Sequence, residues 1–315
     1  NITWKRTVDQ LLNHSMNQIE NDSPYAEKRS SCSSKSQRVK NIAKKITVTS
    51  TFPIYPPQGG GQARIFHLYK NLAADREIDI VSFTNADQQG YEGYISPNLK
   101  EIRIPKSMKH QEAEWELERK ANIPVSDIGM IHLFSKTPAY GKKLSESISS
   151  SGIVVISHPY LYYAAKEHIE EIPFIYEAHN VEFYIKEQML PNSKIKRALI
   201  QQVFEIEKEC CEKSALIMTC SKEDQLLLNK RYGVSMDKMI EVPNGVDCDE
   251  ISFTPIPERI QNKKSMGLEQ EKLGIFMGSW HQPNLEACEA IFQIALECPD
   301  TKFLLMGSQC MYFRN

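Results

Sequence analysis

The patterns of several common functional classes are missing from this sequence. Its eight cysteines form no Cys-x-x-Cys pair, and Cys210 and Cys211 are neighbours on a helical run, so they read as reduced, structural thiols. No apolar run is long enough to span a bilayer, and the first residues hold no apolar core of signal-peptide type. An excess of one charge is missing too. Lys and Arg number 38 against 40 Asp and Glu, a formal net charge of −2, which gives no general attraction to nucleic acid or an anionic surface. GxSxG, HExxH and Ser-His-Asp patterns are absent, so nucleophilic hydrolase and metalloprotease readings have no support. The expectation from these absences is a cytoplasmic protein.

What is there suits a two-domain α/β chain. A chain of 315 residues with 41% hydrophobic content can bury a substantial core. The stretch ITVTSTFPIYPPQGGGQARIFHLYKNLA, residues 46–73, organises the rest. Val48, Ser50 and Phe52 lie in a β-favouring run, and Pro53, Pro56 and Pro57 stop it. Gly59, Gly60 and Gly61 can take positive φ and let a ligand approach the backbone. Ile65, Leu68, Tyr69 and Leu72 then recur at helical spacing. A glycine turn feeding a helix start can hold an anion, because free N–H groups and the helix dipole point at it. A tight strand-to-helix turn explains the same residues equally well. The stretch is neither a P-loop nor a dinucleotide GxGxxG.

Along the chain, residues 1–20 read as a helix capped by Thr3, with Trp4, Val8, Leu11 and Leu12 on one face. Residues 21–44 are Ser- and Lys-rich, a linker composition. This sets the first helix apart from a domain expected over 45–253. There, apolar runs at Ile46–Phe52, Ile78–Phe83, Glu101–Ile104, Met130–Phe134, Ile153–Ser157, Phe174–Ala178, Ala215–Cys220 and Met239–Val242 read as strands. Helical runs at 108–121, 138–149 and 194–213 lie between them, and Ser221 through Asp224 forms a capping box for a helix that Gly233 closes. Such alternation predicts a parallel sheet covered on both faces, with ligands at the C-terminal strand ends. Residues 254–271 read as an interdomain linker. A second domain starts over 272–315 as strand, Gly-Ser turn, helix and strand, with Asn284 as helix cap; it is expected to be incomplete. The first residue, Asn1, adds the expectation that the chain is a piece of a longer protein.

Candidate chemistry gathers at the strand ends. His158, His179 and His281 each follow a strand run; for each, a structural or surface role is the plain alternative. Glu177 and Glu182 flank His179, where they could orient its ring, accept substrate hydroxyls or stand as solvated loop carboxylates. Tyr160, Tyr162, Tyr163, Tyr176 and Tyr184 surround the same ends and suit either stacking or core packing.

Four pieces in order carry a family resemblance: the strand-Pro-x-Gly-Gly-Gly-helix of 46–73, EAHNVE at 177–182, TCSKEDQLLLNKRYGVSMDKMIEVPNGVD at 219–247 and FMGSWHQPNLEA at 276–287. Together they resemble the retaining glycosyltransferases of family 4, over residues 45–315. The resemblance implies the GT-B fold, two Rossmann-like domains facing across a cleft, and a nucleotide-sugar donor with no metal ion or other cofactor. His179 is implied as the catalytic histidine that contacts the transferred sugar. Gly59, Gly60, Gly61, His158, Glu182, Asn244, Gly245, Gly278, Ser279 and His281 are implied at the donor or acceptor. The acceptor is expected to be a glycan, a lipid-linked or a small-molecule hydroxyl, with peripheral attachment at the inner membrane face in the lipid-linked case; nucleic acid is not a partner.

Two departures stand out. The donor-domain turn of the family carries an Arg and a Lys, and residues 278–287 have neither. By the resemblance, the family's Glu-x7-Glu donor motif is expected farther on than Asn315, which implies that the chain alone is not fully active. Thr3-Trp4-Lys5 before an apolar helix resembles the end of such a transferase and implies tandem transferase domains in a parent protein. Two further readings remain: a GT-B nucleotide-sugar epimerase, and a non-catalytic nucleotide-sugar or partner-binding domain.

Overall fold

The strand runs of the first domain are apolar from end to end because both their faces are covered. A computed structural model describes residues 3–11, 45–248, 250–280 and 282–314. They divide into two units, Asn1–Asp247 and Cys248–Asn315. The first unit contains α1 (Trp4–Leu11), β1 (Lys45–Ser50), α2 (Gly60–Leu72), β2 (Glu77–Thr84), β3 (Tyr91–Ser96), β4 (Leu99–Pro105), α3 (Met108–Ala121), α4 (Ser126–Leu133) and α5 (Pro138–Ser149). It continues through β5 (Ile153–Ser157), α6 (Tyr162–Ala165), β6 (Phe174–Ala178), α7 (Glu182–Met189), α8 (Lys196–Lys213), β7 (Leu216–Thr219), α9 (Lys222–Tyr232) and β8 (Met239–Glu241).

The eight strands form one sheet in the order β3-β4-β2-β1-β5-β6-β7-β8, parallel except for the β3–β4 pair. Alternate residues feed two apolar layers. Val154, Ile156, Tyr176 and Ile217 face one layer, with Ile128, Leu144, Leu199 and Ile206 from the helices. Ile46, Val48, Ile153, Val155 and Ile175 face the other, with Ile65, Leu68 and Leu72 of α2. The chain leaves β1 for β2 on one side and returns to β5 on the other, and both pair with β1 in parallel. That reversal opens a crevice at the C-terminal ends of β1 and β5.

The structure departs from the sequence reading at six places. Met130–Phe134 is not a strand; it belongs to α4 and the 3-10 turn Phe134–Lys136. A short, wholly apolar run has no period to separate strand from buried helix. Here Asp127 settles it: in the first turn of α4, its carboxylate accepts from the Ile128 N–H at 2.8 Å. Conversely, β3 escapes the sequence reading because it is a mostly exposed edge strand with Tyr94 66% exposed.

The glycines of the 59–61 turn all have φ outside the positive range, so left-handed backbone is not their reason for being there. Residues 254–271, read as a linker, contain α10 (Ile256–Ser265). The N-terminal segment, finally, does not stand apart. Thr3 pairs with Val246 as an isolated parallel bridge, and Trp4 and Val8 are buried in the α2 layer. Its cap is as expected, with the Arg6 N–H donating to Thr3 Oγ1 at 3.3 Å; residues 12–44 lie outside the described set.

The second unit is a βαβ start: β9 (Lys272–Met277), α11 (Gln282–Glu297) and β10 (Thr301–Met306), the strands paired in parallel. Asn284 is not the cap of α11, because the helix already begins at Gln282. Its side-chain amide instead donates back to the Ser279 carbonyl at 2.9 Å.

Candidate functional site

α2 begins at Gly60, so the N–H groups of Gly60, Gly61 and Gln62 fall in a first turn that offers them no helical acceptor. The turn before it is held from inside. Gln62 Oε1 accepts from the N–H of Gln58 at 2.9 Å and of Gly59 at 3.0 Å, and its amide donates to the Pro53 carbonyl at 2.7 Å. A Cβ on Gly61 would press on the Phe52 ring at 3.3 Å, whereas one on Gly60 would meet nothing within 4 Å. Gly61 is therefore a packing glycine, and Gly59 and Gly60 stay exposed at the turn.

Four residues further along, the same helix delivers Arg64 into the crevice. Its Nε donates to Glu177 Oε1 at 3.1 Å, and its Nη1 donates to the Val242 carbonyl at 2.8 Å and to Asn244 Oδ1 at 3.0 Å. The Tyr69 hydroxyl, also on α2, donates to the other Glu177 oxygen at 2.9 Å. Glu177, fully buried at the end of β6, is thus no solvated loop carboxylate. Burial by itself would push its pKa up. The His179 imidazole, the Arg64 guanidinium and the Tyr69 hydroxyl outweigh that and hold the carboxyl well below its usual range.

Just past β6, His179 Nε2 lies 3.5 Å from Glu177 Oε1 and 3.0 Å from Ser157 Oγ at the end of β5. Burial pushes the His179 pKa down, Glu177 opposes this, and Arg64 adds to it. The ring is therefore neutral near pH 7, and the adjacent carboxylate favours the proton on Nε2. Nδ1 is then the acceptor. His158 lies against the ring, with centroids 3.9 Å apart. Burial and then His179 push its pKa down to about 4. Its backbone has φ +60°, a conformation that costs a non-glycine residue on the order of 1–3 kcal/mol and concentrates at functional sites. The His158 N–H donates to the Glu177 carbonyl at 3.1 Å, and its Nδ1 is buried without a hydrogen-bond partner.

Glu182 opens α7 and is buried, its carboxylate accepting from the Tyr160 hydroxyl at 2.5 Å. Beneath it lies a carboxylate the sequence reading missed. Glu207 of α8 accepts from the N–H groups of Glu182 and Phe183 at 2.8 and 3.0 Å, and from the hydroxyls of Tyr176 and Tyr232 at 3.0 and 2.7 Å. It caps α7 from another helix. Burial pushes its pKa up to about 7 against those hydrogen bonds. Tyr160, Tyr162 and Tyr176 are core residues, so packing is their role.

Asn244 and Gly245 follow β8. Asn244 is tied to Arg64, and Gly245 is tightly covered. A Cβ there would lie 2.6 Å from the Trp4 nitrogen and 2.9 Å from Trp4 Cδ2. In the second unit, the Gly278 N–H donates to the Met306 carbonyl at 3.0 Å and Ser279 offers its carbonyl to Asn284. His281 lies outside the described residues.

The structure thus brings His158, His179 and Asn244 into one hydrogen-bonded or stacked group, with Glu182 one shell away through Tyr160 and His158. It adds Arg64, Tyr69, Ser157 and Glu207. Arg64 was hidden because a polar residue amid a helix's apolar positions reads as solvent-facing; its only local signal was its place just after the glycine turn. Among the described residues, no group of three or more His, Cys, Asp and Glu is placed to hold a metal ion.

Solved structures share this fold. Sucrose-phosphate synthase from Thermosynechococcus elongatus superposes with a TM-score of 0.55 at 14% identity, over 83% of this chain and 62% of that one. For the UDP-forming α,α-trehalose-phosphate synthase from Burkholderia vietnamiensis the figures are 0.53, 11%, 84% and 64%. For the catalytic domain of starch synthase IV from Arabidopsis thaliana, bound to ADP and acarbose, they are 0.52, 14%, 84% and 68%. The chain spans less than two thirds of the length of the first two. A search of curated protein sequences gave no match. The fold class is therefore α/β of the GT-B type. Residues 58–250 match the model of Glycosyltransferase Family 4, and the chain belongs to that family.

Proposed function

We propose that the protein transfers a glycosyl group from a nucleotide sugar to a hydroxyl of a glycan, lipid-linked or small-molecule acceptor, with retention at the anomeric carbon. In this reading Gly59–Gly61, His158, His179 and Asn244 of the first unit and Gly278 and Ser279 of the second are the residues that bind donor or acceptor. The bond from the anomeric carbon to the diphosphate breaks, and the diphosphate leaves with the electron pair. The acceptor oxygen bonds the same face of that carbon, and its proton goes to the departing diphosphate. In this reading neutral His179 acts as an acceptor through Nδ1, holding a hydroxyl of the transferred sugar without moving a proton. Charge on the diphosphate is met by N–H groups at helix starts, and the reading assigns no metal ion.

The buried His179, held 3.5 Å from Glu177 Oε1 and 3.0 Å from Ser157 Oγ at the ends of β5 and β6, is the observation that carries this proposal. Starch synthase IV bound to ADP and acarbose, and an Anabaena protein, HepE, in complex with UDP and glucose, TM-score 0.50 at 12% identity, support a nucleotide-sugar donor. The test is release of nucleoside diphosphate from UDP-, ADP- and GDP-sugars over a panel of acceptors, with the product's anomeric configuration read by NMR. Inversion in the product would overturn the mechanism. Nucleotide-sugar binding without release on any acceptor would favour a non-catalytic binding domain, for which the lack of Arg and Lys in 278–287 speaks.

A further inference from the structure

Arg64 does not face solvent and is not spent on one partner. It is 2% exposed, and its guanidinium joins three separate segments: α2, the end of β6 through Glu177, and the turn after β8 through Val242 and Asn244. We propose that Arg64 and Glu177 act as a positioning pair that locks His179 into one rotamer and the Nε2–H tautomer, so that the helix springing from the glycine turn governs the histidine 115 positions downstream. The inference deepens the proposed transfer reaction and takes its purpose from it, but its geometry stands without it.

The argument is one of hydrogen-bond inventory. Glu177 offers two oxygens. Arg64 and His179 share Oε1, and Tyr69 takes Oε2. An ionised carboxylate only accepts, so the imidazole nitrogen facing it must be the donor. Ser157 Oγ, 3.0 Å from the same nitrogen, can take either part and does not decide the tautomer. Arg64 keeps the carboxylate ionised in a buried place, where an isolated one would take up a proton and could then donate to the ring instead. The charged or titratable groups facing His179 are thus Glu177 from β6, Arg64 and Tyr69 from α2, and His158 from the end of β5. A second-shell carboxylate that fixes a ring's tautomer is a general device; here an arginine from a distant helix sets that carboxylate's charge.

The test reads the ring directly. Histidine-selective 15N labelling of the whole chain reports tautomer and titration of His179 by NMR, assigned by loss of its signal in His179→Gln. The native protein is expected to show Nε2–H alone, with protonation only below pH 6.5. In Arg64→Met the carboxylate loses the charge that keeps it ionised; Nδ1–H signal should appear, and the titration midpoint should fall, because a neutral Glu177 no longer supports the imidazolium. Arg64→Lys restores charge without the fork and should return most of the midpoint. Should Arg64→Met fail to fold, Arg64→Met/Glu177→Gln removes both buried charges together and should show a tautomer mixture. An unchanged His179 tautomer and midpoint in folded Arg64→Met, or in the double variant, overturns the proposal. Because no transfer is measured, a protein that transfers no sugar leaves this result intact, and the two readings fail separately.

Discussion

His179 is the residue on which the proposed chemistry turns. Replacing it with alanine removes one acceptor at the crevice, from a buried ring packed against His158. Transfer should fall about 100-fold, the scale of a lost positioning contact, with the far-ultraviolet circular dichroism unchanged. Near-native turnover would take His179 out of the mechanism. His158 makes a different prediction. Its folded pKa, about 4, lies below the ordinary 6.5, so below pH 6.5 the unfolded chain binds a proton that the folded protein refuses. Its share of stability is intact above pH 6.5 and is lost as pH falls toward 4, on the order of 3 kcal/mol. His110, fully buried beside Thr137 Oγ1 at 3.0 Å, is likewise pushed down to about 4 by burial, Lys106 and Lys136 and adds to the same limb. A His158→Asn variant, whose side chain tolerates φ of +60°, should show a shallower loss of urea midpoint between pH 6.5 and 4.5. An unaltered slope would mean that the ring does not titrate in the folded protein as described.

Among the elements, α1 is the one whose placement the sequence reading missed. Its eight residues are too few to be stable alone; burial of Trp4 and Val8 holds it against α2, where Trp4 stacks on His67 at 6.0 Å. Gly245 leaves room for that contact. A Gly245→Ala change puts a methyl group 2.6 Å from the Trp4 nitrogen, so α1 must shift or lift off. The expected cost is about 3 kcal/mol, the order of a buried tryptophan truncated. Removing residues 1–11 should abolish it, since nothing then stands in the way. Thermal melts of the four proteins in this cycle measure the coupling; equal losses with and without the segment would contradict the contact. The glycine turn shows the reverse lesson. Three consecutive glycines announced a special backbone, yet none uses positive φ; Gly61 is small because Phe52 lies beside it.

Across the whole molecule the two units differ in how much they bury. The first unit holds both apolar layers, while Leu285, Cys288 and Gln309 are the buried residues described in the second. Few buried contacts mean low local stability. Amide exchange should therefore be orders of magnitude faster in β9 and β10 than in β1, β5 and β6. Equal protection in both units would show that the second has a core of its own.

Much of the architecture was legible in sequence. The apolar runs of β1, β2, β5 and β6, the helix cap at Ser221, whose Oγ accepts from the Asp224 N–H at 3.1 Å, and the αL glycine at Gly233 depend on neighbours along the chain. Such local rules place elements, and four motifs in order place the family. The run at 130–134 was illegible because a short, wholly apolar segment carries no period, and β3 because an exposed edge strand has little apolar signal. For the site, local pattern marked His158 and His179 as strand-end residues, and the family resemblance added Asn244, but neither could join them. Arg64 and Glu177 lie 113 positions apart, and Glu182 and Glu207 belong to different helices. Pairing of buried charge is decided by desolvation in the folded interior, and that environment exists only once the sheet has brought the strand ends together.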